Sequence, residues 1–100
     1  MRGKSSAVSE GGSSPTLVSG HISASRFATT DVAYMTADGN YKSEHYSQDT
    51  DIAVPANTLL WAFFNMASNV EVQGGAQRVN YGNTNDGAFW ITGNFELSGV

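Results

Sequence analysis

The chain has 100 residues, enough for one folded domain, and it carries a net charge of −4 with only 14% charged residues. Its five basic residues are dispersed (Arg2, Lys4, Arg26, Lys42 and Arg78), and because phosphate binding needs several cations acting together, we predict no nucleic-acid partner and little attraction to anionic lipid. The absence of cysteine excludes disulfides, thiolate metal sites and cysteine nucleophiles.

Residues 1–15 are rich in serine and glycine and offer almost nothing to bury, which predicts a flexible N-terminal arm. The composition is compatible with a simple tail and also with an arm that orders against a neighbouring subunit. No signal-peptide pattern and no transmembrane-length apolar run is visible. The neutral polar composition favours an extracellular or virion location. Residues 16–100 are predicted to form a single domain.

In the folded part the pattern predicts short strands and no helix. A first strand covers residues 16–25 and presents three apolar side chains on one face: Val18, Ile22 and Ala24. Two strands, about residues 30–36 and 40–46, flank Asp38 and Gly39, a pair typical of hairpin turns. A short strand with Ile52 and Val54 then precedes a turn at residues 55–57.

Residues 58–66 are apolar on both faces, which favours a central strand. Leu59, Trp61 and Phe63 point one way, and Leu60, Ala62 and Phe64 point the other way. Val70 and Val72 begin another strand, Gly74 and Gly75 are predicted to turn the chain, and Val79 and Tyr81 form one more strand. A loop follows at residues 82–87.

The last strand, residues 88–97, has the clearest alternation. Its core face consists of Phe89, Ile91, Phe95 and Leu97, with Gly93 predicted to mark a bulge or a close backbone contact. The total is seven or eight short strands at roughly ten-residue spacing. We therefore predict an all-β fold, an antiparallel β-sandwich or a small barrel.

Catalytic constellations are weak in this sequence, and we predict no enzyme activity. The two histidines, His21 and His45, are expected on polar strand faces or in loops, and no Gly-x-Ser-x-Gly elbow is present. The acidic residues fall mostly in turns or on polar strand faces. The weak metal candidates are the loop carboxylates of Asp49, Asp51 and Asp86, whose hard oxygen ligands suit calcium, although their spacing differs from an EF-hand. No cofactor is predicted.

Aromatic residues are the more informative candidates. The side chain of Trp90 should point away from the core because its neighbours Phe89 and Ile91 point inward. It is expected to pack under a loop of its own chain, to stack on a sugar or to contact a partner. The candidate binding residues are Trp90, Tyr81, Asn83, Asn85, Asp86, Tyr41 and Tyr46.

Two functions remain open from the sequence. The first is a structural or assembly protein of the virion, decoration or filament type, which associates through its arm, its sheet edges and its exposed aromatic residues. It would form a homo-oligomer or bind a protein partner. The second is a carbohydrate- or surface-binding module in which the loop at residues 82–87 and nearby aromatic rings hold a glycan. A membrane-active toxin is a variant of this second hypothesis, disfavoured by the few basic residues.

Overall fold

The computed structural model describes residues 16–24, 29–47, 49–80 and 84–100, with Ser47 described only in its backbone. The predicted arm and the candidate residues Tyr81 and Asn83 lie outside these ranges. The described residues form seven strands: β1 (Leu17–Ser23), β2 (Thr29–Met35), β3 (Tyr41–Ser47), β4 (Thr50–Pro55), β5 (Thr58–Phe64), β6 (Val70–Val79) and β7 (Asp86–Gly99). No helix in the described part of the chain is long and apolar enough to cross a membrane.

The strands form one mixed sheet in the order β3-β2-β5-β7-β1-β4, and β6 pairs with β7. The long strand β7 organises this sheet. Its first half pairs with β5, its second half pairs with β1, and β6 pairs with both halves. Two half-sheets therefore extend from β7, and the sheet curls until it is nearly closed into a barrel. This confirms the predicted all-β fold of the sandwich or small-barrel type.

The first half-sheet consists of β3, β2, β5, the first half of β7 and residues 76–79 of β6, and the second consists of β4, β1, the second half of β7 and residues 70–74 of β6. Their inner faces share one hydrophobic core. Its fully buried members come from both half-sheets, as the predicted alternation requires: Ile22, Val32, Val54, Leu60, Ala62, Phe64, Val70, Phe89, Ile91 and Leu97. Burying these side chains supplies the main driving force for closing the sheet.

Short turns carry the chain between the strands. Thr36 and Asn40 close the β2–β3 hairpin, with Gly39 at φ 89°, a left-handed conformation that glycine adopts without steric cost. The turn after β4 places Asn57 at φ 61°, and its backbone N–H donates to the carbonyl of Ile91. This turn leads the chain from the second half-sheet to the first, because β4 pairs with β1 whereas β5 pairs with β2 and β7.

The predicted turn at Gly74 and Gly75 is wrong. Strand β6 continues through both glycines, and its register against β7 shifts between Gly74 and Ala76. The reason is that two adjacent glycines permit a bulge as readily as a turn, and the continuous partner strand favours the bulge. The expected close contact at Gly93 is confirmed, because a Cβ on Gly75 would lie 2.5 Å from the Gly93 backbone.

One pairing differs from the antiparallel pattern. β1 and β7 run parallel, with Gly20 opposite Phe95 and His21 opposite Glu96. Gly20 has no side chain to separate the strands, and the Phe95 ring occupies the space where a Cβ would lie. The first and last of the described strands thus meet inside the sheet, a long-range contact that local sequence patterns do not encode.

Candidate functional site

The outer surface of the first half-sheet carries a group of apolar side chains, here called the outer apolar face: Ala33, Met35, Tyr41, Leu59, Trp61 and Trp90. The strand register places them in two adjacent rows. Leu59 lies opposite Trp90, and Met35 lies opposite Tyr41. In the next row Trp61 has Ala33 on one side and Ala88 on the other. Side chains opposite one another on the same face of a sheet are close enough to pack together.

These side chains enclose a shallow depression of about 320 Å³, together with Asn57 and Thr58. The exposed fractions are large for apolar residues: 42% for Trp90, 49% for Leu59 and 79% for Tyr41. The prediction that Trp90 points away from the core is therefore confirmed. A contiguous exposed apolar surface of this kind is typical of a binding or association site.

The Trp61 ring stacks on the neighbouring Phe63 ring, with ring centres 6.2 Å apart and planes 10° from parallel. Phe63 marks the boundary of the apolar surface, because the register places Asp31 and Asp86 on either side of it. Asp31 in turn is hydrogen-bonded to the imidazole of His45 on β3. Charged groups therefore lie beside the outer apolar face and not within it.

The other candidate binding residues are distributed over different surfaces. Tyr46 packs partly against the core and lies on the opposite face of β3 from Tyr41, so it does not converge with Trp90. Burial raises the pKa of the Tyr46 hydroxyl. Asn85 contributes its backbone carbonyl to Phe64 N, and Asp86 begins β7 four positions before Trp90. None of the described residues of the 82–87 segment therefore lines the depression.

The calcium candidates are not brought together. Asp51 is on β4, which pairs with β1, whereas Asp86 is on β7 where that strand pairs with β5. The Asp51 carboxylate already binds His21, with Nδ1 and Oδ1 2.7 Å apart. Across the described ranges no three His, Asp or Glu side chains form a group that could hold a metal ion.

A second concave surface lies on the outer side of the second half-sheet and has a volume of about 550 Å³. We call it the polar groove, and its polar side chains are Ser19, His21, Asp51, Gln73, Asn94 and Glu96. Four of them form a single row across four strands, in the order Asp51, His21, Glu96 and Gln73. Asn94 is held in place because its Oδ1 accepts a 3.0 Å hydrogen bond from the backbone N–H of Ser19.

Both histidines lie on exposed outer faces, as predicted, and each joins an edge strand to its neighbour through an aspartate. The hydrogen bond to Asp51 raises the pKa of His21, and the charges of Asp51, Asp49 and Glu96 act in the same direction. Within the described residues neither imidazole is hydrogen-bonded to a serine or threonine hydroxyl. The arrangement therefore resembles a structural ion pair more than a nucleophile activated by a base.

Met35, Leu59 and Trp61 were not among the site residues predicted from the sequence. The signal was present, because residues 58–66 are apolar on both faces, and a strand with two apolar faces needs something to cover each of them. The polar groove was not predicted either, because its row depends on the parallel pairing of β1 with β7.

No family model matches the sequence, and no curated protein or solved structure is significantly similar to it.

Proposed function

We propose that this chain is a non-enzymatic structural protein that associates with copies of itself through the outer apolar face. The observation that carries the proposal is the row of Met35, Leu59 and Trp90 exposed on the first half-sheet, with the half-buried Trp61 beside it in the next row. Aromatic residues and methionine are enriched in protein interfaces, and charged residues are depleted from interface centres. The outer apolar face has this composition.

A second copy is the partner we propose, because the same surface offers both an exposed aromatic group and a depression. Tyr41 is 79% exposed and projects beside the depression that it helps to line. In a two-fold contact each copy inserts Tyr41 into the depression of the other, so that one surface supplies both the protruding group and its receptacle. Two chains of charge −4 repel each other at long range, and an uncharged contact surface adds no further repulsion on close approach.

A sugar ligand suits this surface less well. Met35 and Leu59 lie between the aromatic rings and offer no hydrogen-bonding groups. Saccharides need such groups around the stacking ring to satisfy their hydroxyls. The mixture of aliphatic and aromatic side chains therefore favours a protein partner.

The test is the solution mass by light scattering over a concentration series. We expect the wild-type chain to reach at least twice its 10.6 kDa mass, and Trp90→Thr or Tyr41→Ser to weaken association about tenfold or more. Leu17→Ser is the matched control, since Leu17 is also exposed but lies on β1 of the second half-sheet. A wild-type chain that stays monomeric at all concentrations would disprove the proposal.

The same light-scattering assay separates the contribution of the N-terminal arm to association from that of the outer apolar face. Removing residues 1–14 deletes none of the described strands, which begin at Leu17. If the outer apolar face carries association, the truncated chain retains its mass. Loss of mass on truncation, with no effect of Trp90→Thr, would assign association to the arm instead.

A further inference from the structure

We propose that the polar groove is a binding site for a neutral saccharide. The groove lies on the second half-sheet and shares no side chain with the outer apolar face, so it goes beyond the assembly proposed above. Its volume of about 550 Å³ is within the range of small-ligand sites.

The polar groove contains hydrogen-bonding groups that are not all paired with one another. Among the described residues the side chains of Gln73 and Glu96 form no hydrogen bond. Their strands hold them in one row with His21, whose Nδ1 is occupied by Asp51 and whose Nε2 faces no described hydrogen-bond partner. Polar side chains that lie in one row and keep some of their hydrogen-bonding groups unpaired are suited to binding a ligand.

The hydrogen-bonding groups alternate in type. The Glu96 carboxylate accepts, the Gln73 amide both donates and accepts, and the His21 ring offers its remaining nitrogen. Because Asn94 Oδ1 accepts from Ser19, the Asn94 amide nitrogen is left to donate. Neighbouring sugar hydroxyls each donate and accept, so they match a surface of alternating donors and acceptors.

The charge of the groove selects against anions. Asp51 and Glu96 supply two carboxylates, and Asp49 is close enough to help raise the pKa of His21. No lysine or arginine lines the groove within the described ranges. A phosphate, a sulfated glycan or a uronic acid would be repelled, whereas a neutral sugar avoids this repulsion.

The floor of the groove is formed at Gly20, Ile52, Gly74 and Phe95. The Ile52 and Phe95 side chains are buried in the core, so the floor offers a ligand little apolar side-chain surface. Recognition therefore rests on the hydrogen-bonding side chains of the rim.

The test is an NMR titration of the full chain with three neutral probes: methyl β-D-galactopyranoside, methyl α-D-mannopyranoside and N-acetylglucosamine. We expect at least one probe, at millimolar concentration, to shift the amide signals of Ser19, His21, Gln73 and Glu96 while leaving the Trp90 indole signal unchanged. Gln73→Ala should weaken that binding about tenfold, since it removes hydrogen bonds to the ligand. Gln77→Ala is the matched control, because Gln77 is on the same strand but lies opposite Trp90.

Three outcomes would overturn the proposal. One is the absence of groove shifts with all three sugars. Another is a shift confined to the Trp90 indole, which would place the sugar on the outer apolar face. The third is tighter binding of methylguanidinium than of any sugar, which would make the groove a cation site. The NMR titration reports which residues contact the sugar and does not depend on the mass of the assembly. A monomeric chain that binds sugar in the polar groove would therefore refute the assembly proposal and leave the saccharide proposal standing.

Discussion

The backbones of Gly75 and Gly93 lie in close contact at the register shift between β6 and β7. A Cβ on Gly75 would lie 2.5 Å from three backbone atoms of Gly93, whereas a Cβ on Gly93 would lie 3.7 Å from Gly75 Cα. The contact is therefore asymmetric. One of the two glycines has no room for a side chain, and the other has room for a methyl group.

Gly75→Ala should destabilise the fold by roughly 1–3 kcal/mol, because backbone atoms cannot move aside as a flexible side chain can. Gly93→Ala should change stability by less than about 0.5 kcal/mol, since its new methyl group makes an ordinary contact. Urea denaturation of both variants measures the difference. Equal losses of stability would show that the close contact at Gly75 does not limit the side chain there.

Thr30 is fully buried, and its hydroxyl oxygen has no hydrogen-bond partner among the described residues. Thr30→Val keeps the shape and removes the unsatisfied group, so it should stabilise the fold by about 1 kcal/mol. Thr92→Val is the comparison, because Thr92 is exposed and its hydroxyl donates to the Gly75 carbonyl. The denaturation midpoint should rise for the first variant only. A lower midpoint for Thr30→Val would show that the hydroxyl is satisfied in solution.

The His21–Asp51 pair should make stability depend on pH. The hydrogen bond to Asp51 raises the pKa of His21 above its ordinary value, so the protonated form is favoured in the folded state. The resulting stabilisation is fully present below the unfolded-state pKa, about 6.5, and is lost as the pH rises through the higher folded-state pKa. The effect should be small, because both side chains are largely exposed.

The Asp51→Asn variant tests this dependence. An NMR titration of the His21 ring should show a lower pKa in the variant than in the wild type, and the variant should lose part of the stability gained on acidification. His45→Gln is the control, since it leaves the His21 pair intact. An unchanged His21 pKa in Asp51→Asn would mean that the pair does not form in solution.

Gly39 occupies a left-handed conformation, with φ 89°, in the β2–β3 turn, although no atom lies near its missing Cβ. Gly39→Ala should therefore cost about 1 kcal/mol through backbone strain alone. Gly39→Asn should cost less, because asparagine tolerates this conformation. Thermal denaturation of the two variants checks the order. An alanine variant as stable as the asparagine variant would argue against strain at this turn.

Alternation and turn residues predicted most of the secondary structure. The core positions of β7 and the hairpin around Gly39 follow from local chemistry, since a side chain alternates between faces wherever a strand forms. The same reasoning predicted that Trp90 faces outward. It did not distinguish a bulge from a turn at Gly74 and Gly75, because both use the same residue type.

The sequence by itself determined the core face of β7 and the outward direction of Trp90, since alternation along a strand is a local property and burial of apolar side chains has a large free energy. Only the tertiary structure decided which outward faces become neighbours. Trp90 joins Leu59 through antiparallel pairing, Tyr46 turns to the core side of β3, and His21 meets Glu96 through the parallel pairing of the first and last strands. Such pairings depend on closing long loops around a common core, so they are properties of the whole chain and not of any segment.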